Sequence, residues 1–256
     1  MTDISLGILI AVVLFTAALS YFKALSGLGA AGLLVPVYVW LGFSINEAKA
    51  YALFANATSL SGATLDNFQA RRIDLKLGLP IIVASVLFAP VGAYISLFFS
   101  AEVMMALFAA FLVFVGVNAL RQKPKRDAQD SCDDIHPKLA QLLGIGVAAG
   151  LFSGLLGVGG GGVIAALMLW MGCNAKKVAV ITALAVPFSS LSGFLSYSVG
   201  GYTLWLYILV IGVAAAIAGY AGNKTMHGFL SERLVKSLIG VVSLLFAAKL
   251  IYDILS

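Results

Sequence analysis

Long apolar stretches separated by short polar punctuation make up most of this chain. Apolar segments run over 4–22, 25–43, 48–65, 75–99 and 103–120, and again over 139–156, 158–172, 178–199, 204–221 and 234–255. A helix crossing a hydrocarbon core needs roughly 20 mostly apolar residues, so each segment reads as one pass or one re-entrant arm. The one extended polar stretch, 121–138, separates a first membrane repeat (1–120) from a second (139–256) as a linker. The predicted fold class is all-α: a polytopic membrane protein of about ten transmembrane or re-entrant segments, five in each half.

The halves resemble each other. Gly27, Gly29, Gly32, Trp40 and Gly42 recur at a constant shift as Gly157, Gly159, Gly162, Trp170 and Gly172. Ser59-Leu60-Ser61-Gly62 recurs, after a slip of one residue, as Ser190-Leu191-Ser192-Gly193. Loop charges give the relative orientation, because cytoplasmic loops are enriched in Lys and Arg. Arg71, Arg72 and Lys76 follow the third segment, whereas the equivalent 198–203 is uncharged. Only Glu102 follows the fourth segment, whereas its counterpart carries Lys224, His227, Arg233 and Lys236. The basic loops have exchanged places, which is the pattern of inverted repeats. One alternation fits the whole chain, with Lys23, Arg71/Arg72, 121–138, Lys176/Lys177 and 224–236 cytoplasmic and both termini outside.

Composition removes the soluble alternatives. Of 256 residues, 61% are hydrophobic and 11% charged. A soluble domain carries about 25% charged residues. The net charge of +5 is spread over loops, so no nucleic-acid surface is expected. Asp3 and no basic residue precede the first apolar run, so 4–22 reads as a retained membrane segment and not a signal peptide. His136 and His227 fall in loops, and no nucleophile–base set or metal-ligand spacing is visible. No enzyme activity, cofactor or metal is therefore expected. Cys132 and Cys173 lie in unlike contexts and are read as unpaired.

Glycine marks the candidate chemistry. Four in a row, Gly159 to Gly162, weaken a helix by about 1 kcal/mol each relative to alanine and predict a break. The N-terminal end of a broken helix presents unsatisfied N–H groups and partial positive charge, and so binds anions without a basic side chain. Close helix packing is the alternative for both glycine segments. Two polar patches interrupt apolar segments: Asn56, Thr58, Ser59, Ser61 and Thr64, and Ser189, Ser190, Ser192 and Ser196. They could donate to an oxyanion, or simply bond helix to helix. Pro187, opposite Asn56 in the repeat alignment, predicts an interrupted helix at both positions. Glu47 and Lys49 read as a solvated loop, with capping or gating of the first glycine segment as the alternative. Lys249 reads as snorkelling to the interface.

Gly154-Leu155-Leu156-Gly157-Val158-Gly159-Gly160-Gly161, followed by Trp170-x-Gly172 and a polar helix, resembles the repeat motif of the sulfite exporter TauE/SafE family. The first half departs from it, with Ala30 and Ala31 where two glycines are expected. The resemblance implies a bacterial inner-membrane permease that moves sulfite or small organosulfonates, often outward. The reading is a secondary transporter of a small sulfur-containing anion, with an anion channel or a non-transporting anchor or assembly subunit as the rivals. Its expected substrate contacts are Ser26, Gly27, Gly29, Asn56, Ser59, Ser61, Gly157, Gly159, Gly160, Gly161, Ser189, Ser190 and Ser192. Its expected partners are that anion and the lipid bilayer, and small-residue helix faces would permit a homodimer.

Overall fold

The computed structural model describes residues 6–24, 31–69, 71–121, 138–171, 173, 175–226, 241 and 244–253. Every regular element among them is a helix: α1 (Leu6–Ala24), α2 (Ala31–Trp40), α3 (Ile45–Gln69), α4 (Leu75–Ser96), α5 (Ala101–Arg121), α6 (Leu139–Leu156), α7 (Gly161–Trp170), α8 (Ala175–Val199) and α9 (Trp205–Met226). A last helical stretch, α10, covers 244–253. Four helices, α4, α6, α8 and α9, are both long and apolar enough to cross a membrane. Most of the predicted linker and the last basic loop lie outside the described residues, as do Ser26, Gly27 and Gly29.

The helix ends are written locally. Ser44 and Glu47 form a reciprocal cap at the start of α3, where Glu47 Oε2 accepts from Ser44 N at 2.8 Å and Ser44 Oγ accepts from Glu47 N at 3.4 Å. Asp74 opens α4 by accepting from Lys76 N and Leu77 N. Gly157 ends α6 in the left-handed region at φ 70°, with its N–H on Ser153 O.

Packing partners recur at an offset of five elements. α4 lies along α6, and α9 lies along α1; α3 packs on α9, and α8 on α4; α2 packs on α3, and α7 on α8. Lengths recur as well: 10 residues in α2 and α7, 25 in α3 and α8, and 22 in α4 and α9. The central pair, α3 and α8, runs antiparallel, since Asn56 bonds Ser190 while the later Thr64 bonds the earlier Ala183.

Glycine lets α4 and α6 touch at backbone distance. Gly146, Gly150 and Gly154 form an every-fourth-residue stripe on α6. A Cβ on Gly146 would lie 2.7 Å from Ile81 O, and one on Gly150 would lie 2.5 Å from Ser85 O. Small residues at this spacing are how helices associate where no hydrophobic effect drives them together. The outward faces remain apolar: Leu79, Val83, Leu87, Val91 and Tyr94 of α4 form an exposed stripe, as do Leu209, Val213, Ile217 and Tyr220 of α9. Such stripes suit lipid.

Two expectations are corrected. α3 and α8 are continuous helices, although Pro187 lies inside α8. A proline leaves the carbonyl four residues earlier without its helical donor. Here that carbonyl is Ala183 O, and Thr64 Oγ1 of α3 donates to it at 2.7 Å. The same device recurs at Pro90 of α4, whose orphaned Val86 O receives the Ser192 hydroxyl of α8 at 2.7 Å. Cys173, expected to be unpaired, is disulfide-bonded; unlike sequence contexts carry no information on spatial proximity.

Candidate substrate site

The predicted break at the second glycine segment is present. After α6 the chain doubles back, so that Gly160 lies against Ala149, more than a turn before the helix end. Gly157, Gly159 and Gly160 take φ values of 70°, 78° and 69°, a region that other L-residues rarely adopt. α7 then starts at Gly161 and runs for 10 residues, about 15 Å, or half a hydrocarbon core. α6 and α7 are thus a full-length arm and a half-length arm joined by a buried turn.

The turn faces the middle of the two polar helices. Asn56 and Ser190, near the midpoints of α3 and α8, are joined by an Asn56 Nδ2 to Ser190 Oγ bond of 2.9 Å. Ser189 Oγ donates to Gly159 O at 3.3 Å and to Val186 O at 3.1 Å. A Cβ on Gly159 would fall on the Asn56 amide nitrogen and 2.7 Å from Ser190 Oγ. The close approach of the turn to α3 and α8 therefore requires glycine there. The first N–H groups of α7, at Gly161 and Gly162, have no intrahelical acceptor and follow directly on this turn. Asn56 Oδ1 and Ser59 Oγ are buried with no hydrogen-bond partner. The neutral amide and hydroxyls of Asn56, Ser189 and Ser190, beside a helix N-terminus, suit a small anion.

The structure sorts the expected contacts. It brings Asn56, Ser189, Ser190 and Gly159 together, while the neighbouring Gly160 turns against Ala149 and Gly161 opens α7. Ser59 is buried one turn further along α3, where Gly219 of α9 packs against it. Ser61 is exposed and bonds back to Ala57 O at 2.7 Å. Ser192 is engaged with α4, and Gly157 lies at the far end of the turn.

Lys49 is where sequence reasoning misread a residue. It is fully buried, two turns before Asn56 on the same face of α3. A Cβ on Gly157 would lie 2.8 Å from the Lys49 Cβ and Cγ. Its ammonium lies 5.9 Å from the centroid of the Tyr197 ring. Nζ has no hydrogen-bond partner among the described residues. Lys249, by contrast, is half exposed, with Asp253 Oδ1 at 2.6 Å, as an interfacial lysine should be.

Exposed apolar stripes and four membrane-length helices define a multi-pass membrane protein. Residues 9–250 match the sulfite exporter TauE/SafE family, and the chain belongs to it. Its curated relatives include the probable membrane transporter protein YunE of Bacillus subtilis, 27% identical over 211 residues (77% of each chain). Another is the probable membrane transporter protein MJ0441 of Methanocaldococcus jannaschii, 25% identical over 194 residues (72% of this chain, 70% of the relative). The probable membrane transporter protein YfcA of Escherichia coli K12 is 24% identical over 254 residues (96% of this chain, 91% of the relative). Proteins of this family are permeases and not enzymes.

Proposed function

We propose that the protein is a secondary transporter of small sulfur-containing anions such as sulfite or organosulfonates, working by alternating access around a site between two inverted five-element repeats. The observation that carries this reading is the left-handed glycine turn that leads into α7, whose Gly159 packs against Asn56, Ser189 and Ser190 near the midpoints of α3 and α8. Backbone N–H groups and the helix dipole supply positive potential there, and the amide and hydroxyls orient the headgroup. The two copies of the motif would bind from both sides, with Ser26, Gly27 and Gly29 contributing the first-half share.

The recurrence of lengths and packing partners, with α3 and α8 antiparallel, supports inversion. Sidedness has support of its own. The Asp74–Lys177 ion pair, 3.4 Å, joins the two basic loops at one end of the bundle. The Tyr51 hydroxyl, near the start of α3, accepts from Leu204 N at 2.9 Å and joins α3 to the uncharged loop before α9 at the other. The first end is read as cytoplasmic and the second as periplasmic, in a bacterial inner membrane with both termini outside. A homodimer would bury part of the exposed apolar surface.

The test is uptake of labelled sulfite into proteoliposomes, with sulfoacetate, taurine, sulfate and acetate as competitors. The reading predicts saturable uptake inhibited by sulfoacetate and not by acetate. Uptake that never saturates would indicate a channel, and no uptake of any sulfur anion by folded protein would refute the substrate class.

A further inference from the structure

We infer that Lys49 is a second anion-binding point on the transport path, one that takes the singly charged oxyanion headgroup of the solute between the mid-bundle site and the end of the bundle where α3 begins. The inference rests on the anion-transporter reading above, and adds a charged contact that the glycine and serine motifs do not contain.

A buried, unpaired ammonium is unfavourable, because it has lost its water and gained no counter-ion. Lys49 is in that position among the described residues: fully buried, with Nζ unpartnered. The nearest carboxylate in sequence does not relieve it. Glu47 is committed to the Ser44 N–H and hydroxyl, and residues two apart on a helix do not face each other. The Tyr197 ring offers a weak cation–π contact at 5.9 Å, while the Tyr197 hydroxyl is already used on Gly154 O and Ser96 Oγ. Gly157 has no Cβ because the Lys49 stem occupies that space. The glycine turn therefore runs along α3 from Lys49, at Gly157, to Asn56, at Gly159.

Lys49 and Asn56 are seven positions apart on one helix face, a rise of about 10 Å. That is too far for one small headgroup to bridge both, and suits two successive stations along one wall. Ser153 adds a second buried hydroxyl without a partner, and its carbonyl holds the Gly157 N–H at 2.9 Å. With Glu47 held by Ser44, one ammonium beside neutral donors balances a single negative charge, as on a sulfonate or bisulfite. The competing role for Lys49 is a fixed counter-charge to the C-terminal end of α6, which ends beside it at Leu156.

The test compares wild type, Lys49→Met and Lys49→Arg in detergent and in proteoliposomes, with sulfite, methanesulfonate, phosphate and chloride as probes. Lys49→Met keeps the length of the buried stem and removes the charge. Without added anion it should melt at or above the wild-type temperature. With methanesulfonate the wild type and Lys49→Arg should melt higher, and Lys49→Met should not. Sulfite exchange by Lys49→Met should show KM raised at least tenfold. A Lys49→Met protein that melts well below wild type in the absence of anion, with Lys49→Arg restoring it, would assign Lys49 to the helix end and overturn the inference. Wild-type exchange of sulfite with KM unchanged in Lys49→Met would overturn it and leave the transporter reading standing. If the wild type does not exchange sulfite, yet phosphate stabilises it and not Lys49→Met, the Lys49 station stands and the sulfur substrate falls; stabilisation by chloride alone would overturn the oxyanion station. If no probe stabilises the wild type, the inference is overturned.

Discussion

At the scale of single residues, the account depends on Gly159. Its φ of 78° and the Asn56 amide against its missing Cβ penalise any side chain twice. The left-handed conformation alone costs a non-glycine residue roughly 1–2 kcal/mol. Gly159→Ala should therefore cut sulfite uptake at least tenfold while the protein still inserts. Gly144 is the matched control: it is helical and a Cβ there meets nothing within 4 Å. Gly144→Ala should leave uptake unchanged. Radiolabel uptake normalised to inserted protein checks both. Asn56 and Ser190 form one hydrogen-bonded unit, so Asn56→Ala and Ser190→Ala should raise the apparent KM by non-additive amounts in a double-mutant cycle. Strict additivity would mean that the pair does not act together on the substrate. Asn56, Ser190 and the glycine run were legible as candidates because polar and helix-breaking residues stand out in apolar sequence. Lys49 was not, because Ser44, Glu47 and Lys49 together look like a loop edge; only the capping of Glu47 by Ser44 shows that the helix has already begun.

At the scale of elements, the polar patches serve two purposes, which sequence could not separate. Thr64 and Ser192 each supply a hydroxyl to a carbonyl orphaned by a proline on the neighbouring helix. Whether a buried proline breaks a helix thus depends on what the next helix offers, and this is tertiary information. Thr64→Val should destabilise the protein by about 1–3 kcal/mol, since it leaves Ala183 O unsatisfied. In a Pro187→Ala background, where α8 regains its own N–H donor, the same change should have little effect. Unfolding in detergent micelles measures this coupling, and equal losses in both backgrounds would dismiss it. The α4–α6 seam also escaped notice, because Gly146, Gly150 and Gly154 lie inside an ordinary apolar run. The apolar segment 139–156 coincides with α6, which Gly157 ends in the left-handed conformation.

At the scale of the whole molecule, the two halves meet along α4 and α6, α3 and α8, and α1 and α9, and the proposed carrier would move by shifting one half against the other around the site between them. The all-helical class followed from apolar segment lengths. The first glycine segment and the linker fall outside the described residues. Sidedness is open to a direct check. With the native cysteines replaced, Arg72→Cys should react with a membrane-impermeant maleimide only from the cytoplasmic face, and Tyr202→Cys only from the periplasmic face. Labelling of both from one side would remove the topology.

The most direct measurement of the central claim is counterflow. Proteoliposomes loaded with unlabelled sulfite, and diluted into trace labelled sulfite, should accumulate label transiently above its equilibrium level. External sulfoacetate should abolish the overshoot, and Gly159→Ala should lack it. Accumulation that rises only to equilibrium, with the same rate whether the vesicles are loaded or empty, would contradict an alternating-access carrier for this anion.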